Sequence, residues 1–506
     1  MGLRQNLLAG LANSIWTALV GLAVVPLYLK YLGMEAYGLI GFFTTTQALI
    51  SLLDLGLAPT INREVARYSA SGNMREARRL LHTLAVVYWM MAGMIVLLIV
   101  AFSPLIANDW LQSRNMSPVT LTHAVMLMGL VIACRWPIGL YAGALMGMQH
   151  LTVSSSINIA MVTIGSLGAV TVLAFVSPTL QAFFIWQASV SLLHVTAIRW
   201  ATWRVTGRDG DEKFDLNELK RIWRFSADMS VIAITGIVFT QLDKVLLSKM
   251  LLLEEFGHYM LATVVVSGLY IMVTPLFNAM YPRFSALVVS GDTEKLTDLY
   301  RLGTRLLATA LFPIAVGLAI FAKDLVRVWT RDATLASQVA PVIALLSIGS
   351  ALHGVMHIPY ALQLAYGMTS LPIKINTMLM VILVPLIVFL TWTYGVLGAA
   401  IAWLILHVLY VILGTWLTHR HLLKGLGSKW LSQDVGVPLG ISMLLGMAGY
   451  FVLQTLGQFT YIKLLSGIIF WMMTTILSIL SSSRLRPLVL NYGNRILLLV
   501  KKEGYV

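Results

Sequence analysis

Stretches of about twenty apolar residues recur from one end of this 506-residue sequence to the other. No other feature constrains the fold as much, because each stretch is long enough to cross a hydrocarbon core of about 30 Å as a helix. Fourteen candidate spans can be placed, at 7–29, 37–58, 81–103, 119–145, 151–176, 180–200, 225–250, 256–281, 302–322, 336–366, 371–391, 394–418, 435–455 and 463–482. The candidate at 336–366 contains Pro341 and Pro359 and is expected to bend. Only 11% of the residues are charged and 58% are hydrophobic, against about a quarter charged in an ordinary soluble domain. The expected fold class is an all-α polytopic membrane protein of about 14 helices with almost no soluble portion.

The basic residues sit in short loops between spans, as the positive-inside rule requires. The net charge of +14 is therefore a matter of topology and does not indicate a nucleic-acid partner. With the N-terminus inside, 26 of the 35 lysines and arginines fall on the cytoplasmic side. Seven fall outside and two, Arg135 and Lys244, lie within spans. This asymmetry, with an even number of spans, places both termini in the cytoplasm. The first apolar stretch has no convincing cleavage site after it and is read as a retained helix. The single cysteine, Cys134, excludes an intrachain disulfide.

The two halves of the chain resemble each other at one constant offset. "LKYLGMEAYG" (29–38) lies over "SKMLLLEEFG" (248–257), matching Lys30 with Lys249, Glu35 with Glu254 and Gly38 with Gly257, all 219 residues apart. At the same offset Gly72 meets Gly291, Trp110 meets Trp329, and Tyr141-Ala142 meets Tyr360-Ala361. With a slip of one, Asn158 meets Asn376. Six spans separate equivalent positions, so the repeats run in the same orientation. Two pseudosymmetric six-helix lobes plus two C-terminal helices follow. The expected division is 1–203 and 225–420 for the lobes, 204–224 for a cytoplasmic linker, and 421–506 for helices 13 and 14 with a cytoplasmic tail. Parallel repeats of this kind are a transporter architecture that works by alternating access.

The sequence has no GxxxxGK[ST], hence no P-loop, and no HExxH. "HGVMH" puts His353 and His357 on one helix face without a glutamate. They are read as polar residues packed between helices, with zinc binding and proton exchange as the lesser readings. No metal or cofactor is expected beyond a coupling H+ or Na+. The extramembrane loops are too short to hold a sugar-nucleotide-binding domain.

"NLLAGLANSIWTALVGLAVVPLYLKYLGMEAYGLIGF" followed by "LLDLGLAPTINREVARYSASGN" resembles the polysaccharide (Wzx-type) flippases of the multidrug/oligosaccharidyl-lipid/polysaccharide exporter superfamily. "QLDKVLLSKMLLLEEFGHY" looks like the seventh helix and following turn of the same proteins. The resemblance covers spans one to twelve. It implies a bacterial inner-membrane flippase and no enzyme. Such proteins move polyprenyl-pyrophosphate-linked oligosaccharide from the cytoplasmic to the periplasmic leaflet for O-antigen, capsule or exopolysaccharide synthesis. Its partners would be the lipid-linked substrate, membrane lipid and a polysaccharide polymerase complex. The alternatives are a multidrug/cation antiporter of the same superfamily and, from another class, a membrane-embedded glycan polymerase or ligase.

An anionic substrate needs cations in a wet cavity. Arg135 is the first candidate, either as a substrate contact or as the partner of a carboxylate on another helix. Lys244 is read as a cavity cation or as a lysine that snorkels to the interface. Lys374, at the cytoplasmic start of span eleven, could meet phosphate at the inner mouth or serve as a topology anchor. Asp243 and Lys244 are neighbours in sequence, and positions i and i+1 diverge by about 100° around a helix. Each is therefore expected to pair across helices or face water. Asp243, Asp228, Asp54 and Arg63 are candidates for ion coupling or gating. Asp54 and Arg63 lie at the cytoplasmic end of span two, where a gate or anchor is the favoured role. Tryptophans near span ends, such as Trp136, Trp186, Trp200 and Trp392, are read as interfacial anchors.

Overall fold

The computed structural model describes residues 3–207, 214–455, 460–481 and 485–487, and among them no strand forms. Helix is the physical expectation, since a segment in lipid must satisfy its backbone groups internally. The chain divides into two compact units, Met1–Gly257 and His258–Val506. The first contains α1 (Leu3–Leu32), α2 (Met34–Ile50), α3 (Leu57–Ala70), α4 (Met74–Leu105), α5 (Pro118–Arg135), α6 (Ile138–Gly147), α7 (Leu151–Phe175), α8 (Leu180–Thr206) and α9 (Leu216–Met250). Helix α10 (Leu253–Ser267) runs across the unit boundary. Then follow α11 (Tyr270–Ser290), α12 (Thr293–Thr330), α13 (Ala333–Val355), α14 (His357–Ala365), α15 (Ser370–His421), the short turn α16 (Gly427–Lys429), α17 (Val437–Thr455) and α18 (Thr460–Ser481). Helix α9, expected at the head of the second lobe, packs against α2, α3 and α4 of the first unit.

Ten of the described helices are long and apolar enough to span a membrane, or eleven if α10 and α11, bent by 47°, form one span. The 52-residue α15 is two spans, because Gly395 (φ 56°, ψ −136°) reverses the chain within it. A side chain at Gly398 would place its Cβ 1.8 Å from the Leu390 carbonyl oxygen, so only glycine permits so tight a return. With α9 and α18, these helices account for the fourteen expected spans. The span expected at 119–145 is the pair α5 and α6, interrupted at Trp136-Pro137. The one expected to bend, 336–366, is α13 and α14, broken at Met356. Pro359 explains that break: it cannot donate to the Val355 carbonyl, and its ring crowds that position.

Large apolar side chains remain on the surface in long stripes, among them Leu97, Phe102, Val381, Phe389 and Trp392. Water would not tolerate such stripes on a monomer, but lipid does. The chain is a multi-pass membrane protein. In the first unit the core joins Leu80, Leu81, Leu84 and Tyr88 of α4 to Ile61 and Val65 of α3 and Tyr141 and Leu145 of α6. Helix α3 is short and amphipathic, with Leu57, Ile61 and Val65 buried at a spacing of four. In the second unit α17 and α18 both pack against α12. Asp434, fully buried, binds Arg301 at 2.7 Å and also Arg305 of α12. Beside it, Trp430 donates to Thr304 at 2.9 Å.

The repeated glycines have a structural reason. A Cβ at Gly38 would stand 1.9 Å from the carbonyl oxygen of Leu253, and one at Gly257 would stand 2.7 Å from that of Met34. Met34 and Leu253 are themselves 219 residues apart. Equivalent segments of the two repeats thus cross reciprocally, backbone against backbone, as in a two-fold interface. The flanking turn is tied down as well. Glu35 accepts from Ser113 Oγ at 2.6 Å and from Arg114 N at 2.8 Å.

Candidate functional site

Arg135 is the last residue of α5, immediately before the break at Pro137. Its guanidinium reaches two other helices, α2 and α8. Nη1 donates to Gln47 Oε1 of α2 at 2.9 Å, Nη2 to Gln187 Oε1 of α8 at 2.8 Å, and Nε to Ser191 Oγ of α8 at 3.1 Å. Its face lies 5.4 Å from the ring of Phe43. All these partners are neutral. The carboxylate expected under the structural reading of Arg135 is not there: among the described residues it makes no ion pair.

The energetics of this arrangement are uneven. Placing an arginine in a span costs about 2.5–3.5 kcal/mol on insertion scales. Three hydrogen bonds from a charged group, at roughly 1.5–3 kcal/mol each, offset that cost. They do not cancel the charge. The α5 carbonyls at the helix C-terminus add further local stabilisation of a cation. Among the described residues the result is a well-held positive charge without a counter-ion, with two of its five N–H donors unused.

Arg135 lines a cavity of about 350 Å³ in the first unit. Its polar lining consists of Gln47, Asn158, Ser166, Gln187, Ser191 and His194 beside the arginine, and no carboxylate lines it. Asn158 donates to Asn13 of α1 at 2.7 Å, which orients its amide. Gln187 donates to the Gly165 carbonyl at 3.3 Å, so its oxygen is left to face Arg135. The Nε2 of His194 is buried without a hydrogen-bond partner among the described residues. Sequence reasoning missed Gln47, Gln187, Ser191 and His194. The available signal was weak: each is a polar residue in an apolar span, and none carries a fixed charge.

Lys244 and Asp243 line no part of this cavity. The lysine Nζ lies 3.2 Å from Asp243 Oδ1 and donates to the Thr240 carbonyl at 2.8 Å. The expectation that neighbours in sequence would not pair is corrected here. The 100° divergence applies to Cβ directions, and a four-carbon stem is long enough to curl back across it. The ammonium turns toward the preceding helical turn, away from the interface a snorkelling lysine would seek. Both side chains are buried, Asp243 at 1% exposure and Lys244 at 9%.

The remaining candidates lie elsewhere. Asp54 Oδ2 accepts from Ala58 N at 3.1 Å, and Oδ1 accepts from the Tyr88 hydroxyl, tying the start of α3 to α4. It acts as a joint between α3 and α4. Arg63 is exposed on α3, and Lys374 is exposed near the start of α15. Asp228 lies outside the residues whose side chains are described. At the C-terminal end of α9, Lys249 binds the Asp109 carbonyl and lies 5.2 Å over Trp110, while its repeat equivalent Lys30 lies 5.4 Å over Tyr31.

In sequence the chain is 24% identical over 421 residues to a "Putative O-antigen transporter" of Shigella flexneri, covering 81% of this chain and 97% of the relative. In structure it is similar to the lipid II flippase MurJ in an inward closed conformation, with a TM-score of 0.67 at 15% identity, over 93% of this chain and 98% of the other. It is also similar to an inward-facing multidrug resistance MATE transporter of the MOP superfamily, with a TM-score of 0.66 at 14% identity, over 81% and 98%. The family described as polysaccharide biosynthesis protein matches residues 3–288, more than half of the sequence. With the repeat, the helix order and the charge pattern, this match establishes that the chain belongs to the polysaccharide biosynthesis protein family of membrane proteins.

Proposed function

We propose that this protein is a flippase that carries a polyprenyl-pyrophosphate-linked oligosaccharide from the cytoplasmic to the periplasmic leaflet of a bacterial inner membrane. The observation that carries the reading is Arg135, a cation held by neutral groups in a polar cavity whose lining has no carboxylate. A pyrophosphate supplies the missing counter-charge. The cavity volume, about 350 Å³, is at the small end for ligand sites. It suits the charged junction of such a substrate, with the glycan extending beyond it and the lipid tail remaining in the bilayer. The two unused guanidinium N–H groups are the donors placed to meet oxygen, and the unpartnered Nε2 of His194 shares the lining.

Two neighbours by comparison, one named as an O-antigen transporter and one as a lipid II flippase, support the same reading. A cation antiporter would be served by acidic groups in the cavity, and the lining seen here favours the anionic substrate instead. The basic bias of the cytoplasmic loops supports both termini inside. The protein acts as a transporter rather than an enzyme, and a polymerase working in the periplasm would consume what it delivers.

The test is reconstitution in proteoliposomes with a labelled lipid-pyrophosphate oligosaccharide and a membrane-impermeant probe of its glycan. Time-dependent movement that is competed by unlabelled lipid-pyrophosphate glycan and unaffected by a cationic dye is expected. Movement of the dye without movement of the glycan would overturn the proposal in favour of the antiporter.

A further inference from the structure

The second unit has its own polar cluster at the equivalent break. At the 219-residue offset Arg135 falls on Gly354, between His353 and His357. His353 closes α13, His357 opens α14, and His407 enters from the second half of α15. The ring of His353 lies 5.0 Å from that of His357 and 4.9 Å from that of His407. The Nδ1 of His353 is 2.6 Å from the hydroxyl of Tyr270. The Nδ1 of His357 stands 3.2 Å from the His353 carbonyl, and that of His407 2.8 Å from the Trp403 carbonyl. Donation to those carbonyls fixes the tautomer in which Nε2 is the basic atom.

We propose that His353, His357 and His407 form a proton-binding site that couples proton movement to transport, an inference that rests on the transporter reading above. The geometry suits one proton and one only. Cations about 5 Å apart in a low-dielectric interior repel strongly, so protonating one imidazole opposes protonating the next. The C-terminal carbonyls of α13 favour a cation at His353. Among the described residues phenols meet the cluster: Tyr270 and Tyr410 directly, and Tyr281 and Tyr360 through Phe277. Helix α12 meets the break with Leu311, whose Cδ1 would be 2.6 Å from a Cβ on Gly354. Among the described residues no group of three or more His, Cys, Asp or Glu is arranged to hold a metal ion. The cluster's place at a broken span matters, because a charge gained or lost there changes the energy of two helices at their joint. The same place in the fold thus holds a fixed charge in one repeat and a titratable one in the other.

The experiment measures glycan movement in proteoliposomes with and without an imposed proton gradient. In the wild type the gradient is expected to speed movement several-fold. In His353→Gln and His407→Gln that stimulation is expected to vanish, while His123→Gln, an exposed histidine of α5, keeps it. Undiminished stimulation in both cluster variants would overturn the proposal, as would a wild type that moves glycan with no response to the gradient. If the wild type moves no glycan at all, the flippase reading fails separately. The site is then read from nitrogen-15 spectra of histidine-labelled protein in nanodiscs. A shared titration of the three rings that collapses in His353→Gln supports it, and three independent titrations overturn it.

Discussion

Replacing Arg135 by glutamine removes the charge while keeping a polar side chain of useful reach. The three bonds it now makes, at 2.8, 2.9 and 3.1 Å, anchor the guanidinium. A phosphate oxygen at 4 Å from that charge gains about 4 kcal/mol at an effective dielectric of about 20. Desolvation leaves a net of roughly 1.5–3 kcal/mol, the usual value of a hydrogen bond to a charged group. At 1.4 kcal/mol per decade, apparent affinity should fall about 10- to 100-fold. Arg135→Lys keeps the point charge but cannot span Gln47, Gln187 and Ser191 at once. It should fall between glutamine and wild type. The assay is the initial rate of glycan movement against substrate concentration, with thermal unfolding of each variant in detergent as control. Because the freed acceptors line a cavity, water can replace the arginine, and stability should change by about 1–2 kcal/mol or less. A glutamine variant with wild-type rates would refute the reasoning. Equal impairment of the lysine and glutamine variants would also refute it, since charge would then be irrelevant.

Other substitutions probe the scaffold. Gly38→Ala drives a Cβ into the Leu253 carbonyl and should cost about 1–3 kcal/mol through overpacking, whereas Gly21→Ala, with open space around it, should not destabilise; thermal unfolding separates them. Lys244→Met removes the cation 3.2 Å from buried Asp243 and should destabilise by about 3–5 kcal/mol. Adding Asp243→Asn should restore much of that loss, and a double variant no better than the single would argue against the pair. Asp434→Asn leaves Arg301 and Arg305 facing each other without their shared carboxylate, with a similar expected loss of about 3–5 kcal/mol, read as an earlier unfolding transition. Tyr88→Phe takes away a donor to Asp54 and should cost about 1.5–3 kcal/mol, measured by denaturation of the same preparation.

The spans were legible in the sequence because hydropathy is a local property, and a run of apolar residues needs no distant partner to declare itself. The two repeats were legible for a related reason: a constant offset survives in single positions such as Lys30 and Lys249. Arg135 stood out because a charge in an apolar run is costly and therefore conspicuous. Its environment did not stand out. Gln47, Gln187 and Ser191 lie 88, 52 and 56 residues away along the chain, and a neutral amide in a span carries no mark of its partner. His407 joined His353 and His357 for the same reason only after folding. Lys244 was read by the angle of its Cβ, whereas the length of its stem decided where the ammonium went. Gly38 and Gly257 announced a repeat but not its cause, which is a backbone crossing between segments far apart in the chain. The sequence by itself determined a membrane bundle of repeated helices with a conspicuous cation at Arg135. Only the tertiary structure decided which helices surround that cation and that its partners are uncharged, because those facts belong to contacts between distant segments.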